Sequence, residues 1–477
     1  MSVTAAAARQ QEMTLSPGEN LFRKRIESGE FFILVEHDAP GSGIAPETAG
    51  ERLAALDEAV SGCDSGVPMS LAVTDGYGFD DAHRGCEYAG ALPEARRNAH
   101  LIYLSGRGAD FQRMQELLSL CRNQGIANVA AVTGDWRKGA VYTESVRTLR
   151  TIGRLHPGEF FPGAVINPYK YRADSQFAQF FKMVKKFNQG AQFAVTQAGW
   201  DMRKLQSLKW YLSMRGLEFP LIARLILLTP EVLAKIQQQR LPGIGISPDF
   251  ETILQSELRF SAKQFESAQW RRLELQVAGC RLLGFSAVQI SGIDTPDRIR
   301  LASARLSAAM REFTTFEQWA EAYNSYQARA EMAPAPDSFM MFDRLLEQRQ
   351  LPSDNCFCRD RRATLPTSRA DRWRYIAAEQ LLSKAGERPS ANRWLLKYLL
   401  AGCRGCKSCR LPSTLYLCVE RCPKHIANGS CGGVRADGSC EAGGECVFMK
   451  QVAVAGWLGM PDKLEETYIP ASDEIME

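Results

Sequence analysis

Eight of the chain's fourteen cysteines fall between residue 403 and the end, in the run AGCRGCKSC…LCVERCP…NGSCGG…GSCEAGGEC. Cys403, Cys406 and Cys409 stand at C-x2-C-x2-C, a spacing that turns successive thiolates toward one centre, and Cys418, Cys422, Cys431, Cys440 and Cys446 follow. Eight thiolates suffice for two four-sulfur sites, and the upstream pair Cys356 and Cys358 can exchange with any of them. The opening MSVTAAAARQQEMTLSPGEN holds no secretory apolar core, so a metal or iron–sulfur module in a reducing cytosol is expected rather than a disulfide framework. Zinc and a [4Fe-4S] cluster both accept four thiolates. The triple at spacing three and the late Cys422-Pro423 favour the cluster; His425 could serve a zinc site, although one histidine beside eight cysteines is more often a surface residue.

A second group of chemically capable residues closes a series of apolar runs. Glu36 and His37 end the first, Thr74 and Asp75 the second, Gly134 and Asp135 the fourth, Thr196 and Gln197 the sixth. A carboxylate at a buried strand end costs free energy unless it is paired or used. Asp75 and His37 are equally readable as loop or helix caps, yet polar groups at four strand ends together predict a site.

The elements that must position these residues are eight runs: FFILVEH, MSLAVTD, AHLIYLSG, NVAAVTGD, GAVINP, QFAVTQAG, PLIARLILL and SAVQISG. Each is apolar without clean alternation, as strands buried on both faces of a parallel sheet are. Amphipathic stretches such as ADFQRMQELLSLCRNQG and SQFAQFFKMVKKFNQG lie between them and end in a helix-stopping glycine. Eight strand–helix units in about 300 residues predict an α/β fold, a (β/α)8 TIM barrel. An open doubly wound sheet would need a glycine-rich first turn, which FFILVEHDAPGSG does not supply. At 477 residues and 45% hydrophobic content the chain can hold this barrel and a smaller domain. The division expected is 1–19 flexible, 20–330 barrel, 331–340 a stiff Pro/Ala linker, and 341–477 helical and cysteine-rich, with metals supplying much of the module's folding energy and a flexible acidic tail. A net charge of +4 gives no case for nucleic acid, and no run reaches a transmembrane length, so a soluble cytoplasmic protein is expected. The basic run RDRRATLPTSRADRWR reads as a solvated face before it reads as a dock for an acidic protein.

With these pieces in place, residues 20–300 resemble the catalytic barrel of methylenetetrahydrofolate reductase. LVEHDAP is similar to the family's first strand, SLAVTDG to its second, GIANVAAVTGD to its fourth, and KKFNQGAQFAVTQ to the segment leading into its sixth. The cysteine run resembles the C-terminal domain fused to, or encoded beside, this reductase in some bacteria. The resemblance implies a flavoenzyme, with FAD or FMN, that reduces 5,10-methylenetetrahydrofolate to 5-methyltetrahydrofolate by hydride from flavin N5. It makes Glu36 the general acid at folate N10, its pKa raised by burial, and places Asp135 between flavin and folate. Gln197 would orient the pterin, and Thr74, His100 and Lys186 would contact flavin. The cysteine domain would relay electrons from ferredoxin or another carrier protein, and a homo-oligomer is expected. The chain departs from the family after Pro168, where YKYRAD replaces the acidic residue and histidine that help hold the dinucleotide part of FAD. It also departs at the third strand and at VQISGIDTPDR in the last. Two alternatives stay open: an NAD(P)H-dependent reductase with a structural zinc tail, and a non-redox folate-binding or methyl-transfer partner.

Overall fold

The structure, a computed structural model, describes residues 20–63, 66–75, 82–238, 240–328, 330–353, 365, 367–382, 394–406 and 408–475. Cys356 and Cys358 lie outside the described residues. Each predicted apolar run supplies one strand: β1 Phe32–Asp38, β2 Met69–Thr74, β3 Leu101–Ser105, β4 Asn128–Val132, β5 Phe161–Ile166, β6 Phe193–Thr196, β7 Leu221–Ile226 and β8 Ala287–Ser291. They pair in parallel in sequence order, and β8 returns to β1, closing the barrel.

Both faces of every strand are covered, which is why the runs lack alternation. Outward side chains pack under the helices. Inward ones, among them Phe32, Leu34, Ala72, Leu101, Tyr103, Phe193 and Ile222, fill the barrel, and Phe22 of the helix Leu21–Ser28 closes the floor. Phe22 meets Phe32 and Phe193 edge-on at 5.5 and 5.3 Å. Room for that layer comes from Gly163 in β5, where a Cβ would stand 2.3 Å from the Phe193 ring. The β5–β6 helix Ala173–Asn188 runs to the predicted glycine, Gly190, whose φ of 103° suits only that residue well.

The remainder of the chain is bound to the barrel more tightly than its composition suggests. Residues 330–353, which include the expected stiff linker, are tied to the barrel as a strap. Phe339 donates its N–H to Tyr171 O at 2.9 Å, and Leu346 N–H reaches Gln206 Oε1 of the β6–β7 helix Met202–Met214 at 2.6 Å. The cysteine-rich module has an apolar core of its own, with Tyr375, Leu411, Tyr416 and Val454 among its members. Val447, Phe448 and Val452 of its helix Val447–Trp457 join the barrel's outer core. The acidic tail, expected to be flexible, is a clamp: buried Glu465 accepts from Tyr211 Oη at 2.8 Å and pairs with Arg215, and Asp473 meets Arg147 at 2.7 Å. Its negative charge answers arginines on the barrel helices. Among the described residues no helix is long and apolar enough to cross a membrane.

Candidate active site at the barrel mouth

The carboxyl ends of the strands open into a cavity of about 130 Å³. Its wall includes Thr74, Asp135, Lys186, Gln197 and Arg224 from the barrel and Lys424 and Ser430 to Gly433 from the cysteine-rich domain. Four expected site residues therefore meet there: Thr74, Asp135, Gln197 and Lys186. Glu36 stands at the inward-facing end of β1, joined to this wall through Arg224.

The condition of Glu36 differs from the expectation. Burial pushes its carboxyl upward, but the Arg224 guanidinium, by charge and by hydrogen bonds, outweighs burial and holds it below the usual glutamate range. Arg224 Nε donates to Oε2 at 2.5 Å while its Nη2 grips Oε1, and Gln289 Nε2 adds a bond at 2.6 Å. A carboxylate so held is ionised and bonded on both oxygens, the reverse of a raised general acid. Tyr103 Oη bonds Gln289 Oε1 at 2.8 Å, and Arg224 Nη1 bonds Gln197 Oε1 at 2.7 Å, so one polar layer runs across the barrel from Tyr103 to Gln197. It leaves the Gln197 amide oxygen occupied and its nitrogen turned toward Gly243 at the rim.

Asp135 carries the shift expected of Glu36. Burial raises its carboxyl, Lys424 pulls it back and Glu441 pushes it up. Among the described residues its carboxylate accepts no hydrogen bond; only its carbonyl does, from Tyr142 Oη at 3.0 Å. Lys186 sits buried with its ammonium on Val165 O at 2.5 Å, and burial lowers its pKa to about 7. Thr74 spends its hydroxyl on Asp38. Asp75 caps Gly85 and the Ser105 amide, each at 2.8 Å, and His37 faces Asp294 at 3.6 Å, the structural roles available to them.

His100 is misplaced as a flavin contact. It precedes β3 rather than following it, so it lies at the opposite end of the barrel, fully buried, with Nδ1 on the Leu71 amide at 3.0 Å and Nε2 3.0 Å from Asp57. Burial lowers its pKa. Arg224, Gln289 and Tyr103 were missed. The one available signal was an arginine inside the apolar run PLIARLILL, since a charge facing a barrel interior demands a partner.

The cysteine-rich domain lies across the mouth. Lys170 Nζ binds the carbonyls of Gly432 at 2.7 Å and Val434 at 2.5 Å, and Gln179 Nε2 binds Ser430 Oγ and Cys431 O, both at 3.0 Å. Lys182 bridges Glu144 at 2.7 Å and Gly429 O at 2.9 Å, while Glu144 receives the Ala427 and Asn428 amides. Lys424 reaches back to Gly134 O at 2.6 Å and pairs with Glu441.

Seven of the eight thiols fall into two neighbourhoods, Cys403, Cys406 and Cys418 in one and Cys422, Cys431, Cys440 and Cys446 in the other. Cys418 is raised first by burial and also by Cys403 and Cys406; Cys422 and Cys446 are each pushed by burial to about 12, with Cys431 adding to both and Cys440 to the latter. Cys409 is exposed. The expected metal sites are not closed: among the described residues no three His, Cys, Asp or Glu side chains are gathered to hold an ion. The sulfurs engage local polar groups instead, Cys406 donating to Ser408 O at 3.4 Å and Cys431 to Glu441 Oε1 at 3.2 Å.

Residues 21–250 match the model of the family described as methylenetetrahydrofolate reductase, and residues 389–474 that described as methylene-tetrahydrofolate reductase C terminal. The chain is a methylenetetrahydrofolate reductase family barrel fused to that family's C-terminal domain. No curated protein matches it. Among solved structures it is similar to an uncharacterized protein from Clostridium thermocellum that binds two copies of 5-methyl-5,6,7,8-tetrahydrofolic acid. That likeness is at 16% identity over 61% of this chain and 100% of the other, with a TM-score of 0.46, too low to bear on the site. The reductase barrel match ends at residue 250, short of β8, so Gln289 lies outside the matched part.

Proposed function

We propose that this chain acts on 5,10-methylenetetrahydrofolate, taking it to 5-methyltetrahydrofolate with two electrons and two protons, and that the electrons come in through the cysteine-rich domain from a carrier such as ferredoxin. The observation that carries this reading is the meeting, at one cavity, of Asp135 and Gln197 from a reductase-family barrel with Cys431 from the cysteine-rich domain.

Gln197, its amide oxygen fixed by Arg224, presents the amide nitrogen to a pterin carbonyl or ring nitrogen. Asp135 supplies the carboxyl that bonds the pterin's donor groups. Because burial raises it, Asp135 rather than Glu36 is the group suited to hold a proton beside the substrate. Glu36 and Arg224 act as a fixed ion pair whose arginine faces the cavity. Two sets of four thiols, Cys403, Cys406, Cys409 and Cys418 and then Cys422, Cys431, Cys440 and Cys446, have the donor chemistry of two four-sulfur centres, and in that state they would supply one-electron transfer. Iron–sulfur is preferred over zinc because only it carries electrons. A flavin would supply hydride transfer, and Thr74 and Lys186 stand at the cavity to meet one. In this arrangement, however, the hydroxyl of Thr74 and the ammonium of Lys186 are already bonded within the protein, and the cavity is below the roughly 300–1,000 Å³ of ordinary ligand sites. The residues do not fit an FAD beside a folate, so no step is assigned to it.

The Glu36–Arg224 pair favours a second reading, a folate-binding protein without turnover, since it removes the family's acid from proton transfer. Calorimetric titration of anaerobically purified full-length protein with 5-methyltetrahydrofolate tests what both readings share. Saturable binding is expected, weakened about 10-fold, equivalent to about 1.4 kcal/mol, in Gln197→Ala. No binding, or binding indifferent to Gln197, removes the folate assignment.

A further inference from the structure

The resemblance places the dinucleotide part of FAD against the segment just after Pro168. In this chain that segment holds something else. Asn167 and Lys170 grip the carbonyl of Gly432 at 3.3 and 2.7 Å, and Lys170 also takes Val434 O. The next turns of the same wall, at Gln179 and Lys182, hold Gly429, Ser430 and Cys431. Within the segment Gly433 packs against Glu441 of its own domain, where a Cβ would meet the carboxyl at 2.3 Å.

We propose that residues 429–434 of the cysteine-rich domain are a built-in occupant of the barrel mouth, which restricts the site to one pterin-sized ring and excludes a dinucleotide flavin while the domain is docked. This rests on the folate reading above and specifies which ligands the site takes.

Charge and volume support it independently. A diphosphate needs cations or amide donors, and the buried cations of this wall are engaged: Lys170 and Lys182 by the segment's carbonyls and Glu144, Lys186 by Val165 O, Lys424 by Gly134 O and Glu441, Arg224 by Glu36 and Gln197. Seating a diphosphate on two of them breaks several charge-assisted bonds, and each broken bond leaves a buried carbonyl unpaired. The cavity of about 130 Å³ is below the roughly 300–1,000 Å³ of ordinary ligand sites, which favours a small ring over an isoalloxazine with an adenosine diphosphate extension. The occupant is backbone held by side chains, so its fit depends on position more than on its own sequence.

The test uses full-length protein, anaerobic and loaded with its metal, with two probes read by binding alone: 5-methyltetrahydrofolate by calorimetry and FAD by fluorescence quenching. Folate is expected to bind at least about 10-fold more tightly than FAD. Lys170→Met, which removes the bonds to the carbonyls of Gly432 and Val434 without adding bulk, should narrow that ratio about 10-fold while hydrogen exchange at 424–434 rises. Where Lys170→Met does not fold, Gln179→Ala serves, since it removes the bonds to Ser430 and Cys431. FAD binding to the unaltered protein as tightly as folate, or a loosened segment with FAD still excluded, overturns the proposal. Failure of the folate reading is distinguishable: it shows as no folate binding, whatever FAD does.

Discussion

Replacing Arg224 with Met probes the buried ion pair most sharply. Methionine nearly matches the arginine stem in volume, so packing is largely kept while Glu36 loses its charge partner and two of the bonds that hold its oxygens. The bond from Gln289 remains to it. Burial, the largest influence on this carboxyl and until then outweighed, now decides its state, and Glu36 takes up a proton in the folded protein. Doing so at pH 7 from an ordinary glutamate value near 4.3 costs about 3.7 kcal/mol, at about 1.36 kcal/mol per unit. This agrees with the about 3–5 kcal/mol typical of breaking a buried pair. The pH dependence then has a definite sign. In the variant the folded state binds one proton more than the unfolded state, so stability falls as pH rises above about 4.3; in the unaltered protein Glu36 is ionised in both states over the same range, and its contribution is flat. The deficit should therefore be about 4 kcal/mol at pH 7 and shrink to about 1 kcal/mol at pH 5. Urea denaturation followed by tryptophan fluorescence at the two pH values reads both numbers. A deficit under about 1 kcal/mol at pH 7, or one that does not change with pH, refutes the pairing.

At the opposite end of the barrel, Asp57 is held down to about 2, against the upward push of burial, by His100 and Arg96, so its stabilising contribution is present above the ordinary aspartate range and lost as pH falls toward 2. Asp57→Asn should cost about 1.5–3 kcal/mol of stability at pH 7, the worth of a charge-assisted bond, seen as a lower melting temperature, and the gap from the parent should close in a melting series carried down toward pH 2. Glu465→Gln weakens the clamp on Tyr211 and Arg215, and hydrogen exchange should rise at 462–475 with the barrel strands unchanged. Cys406→Ser should halve the bound metal measured by plasma spectrometry. The domain should nonetheless stay docked in limited proteolysis, because its own apolar core and the Glu144–Lys182 latch persist; wholesale release of residues beyond 400 would contradict that.

The barrel was legible because burial on both strand faces leaves unbroken apolar runs, a signal that does not depend on distant partners. The mouth was legible in part for the same reason: Asp135 and Gln197 stand just past the carboxyl ends of β4 and β6, the end of a parallel barrel at which the site opens. His100 shows the limit of carrying positions over from a resemblance, since a residue that precedes its strand lies at the other end. The state of Glu36 was hidden because its partner stands 188 residues away, and nothing local announces which charges will meet. The tail's docking was hidden by its composition. An acidic segment looks mobile until the arginines that receive it, Arg147 and Arg215, are known, and a stiff proline-rich joint does not disclose that Gln206 will receive the Leu346 amide beyond it. The cysteine spacing disclosed the module but not its place over the mouth, which is set by Lys170, Gln179 and Lys182, residues that read as an ordinary helix face and its lead-in.

The most direct test of the proposed reaction is a turnover measurement on the full-length protein, anaerobic and metal-loaded, supplied with 5,10-methylenetetrahydrofolate and a dithionite-reduced low-potential carrier, with 5-methyltetrahydrofolate quantified by mass spectrometry. Product is expected, falling about 10²–10⁴-fold in Asp135→Asn while folate still binds. Folate that binds tightly and is returned unreduced, by the parent protein as by the variant, would contradict the reductase assignment and leave the binding role in its place.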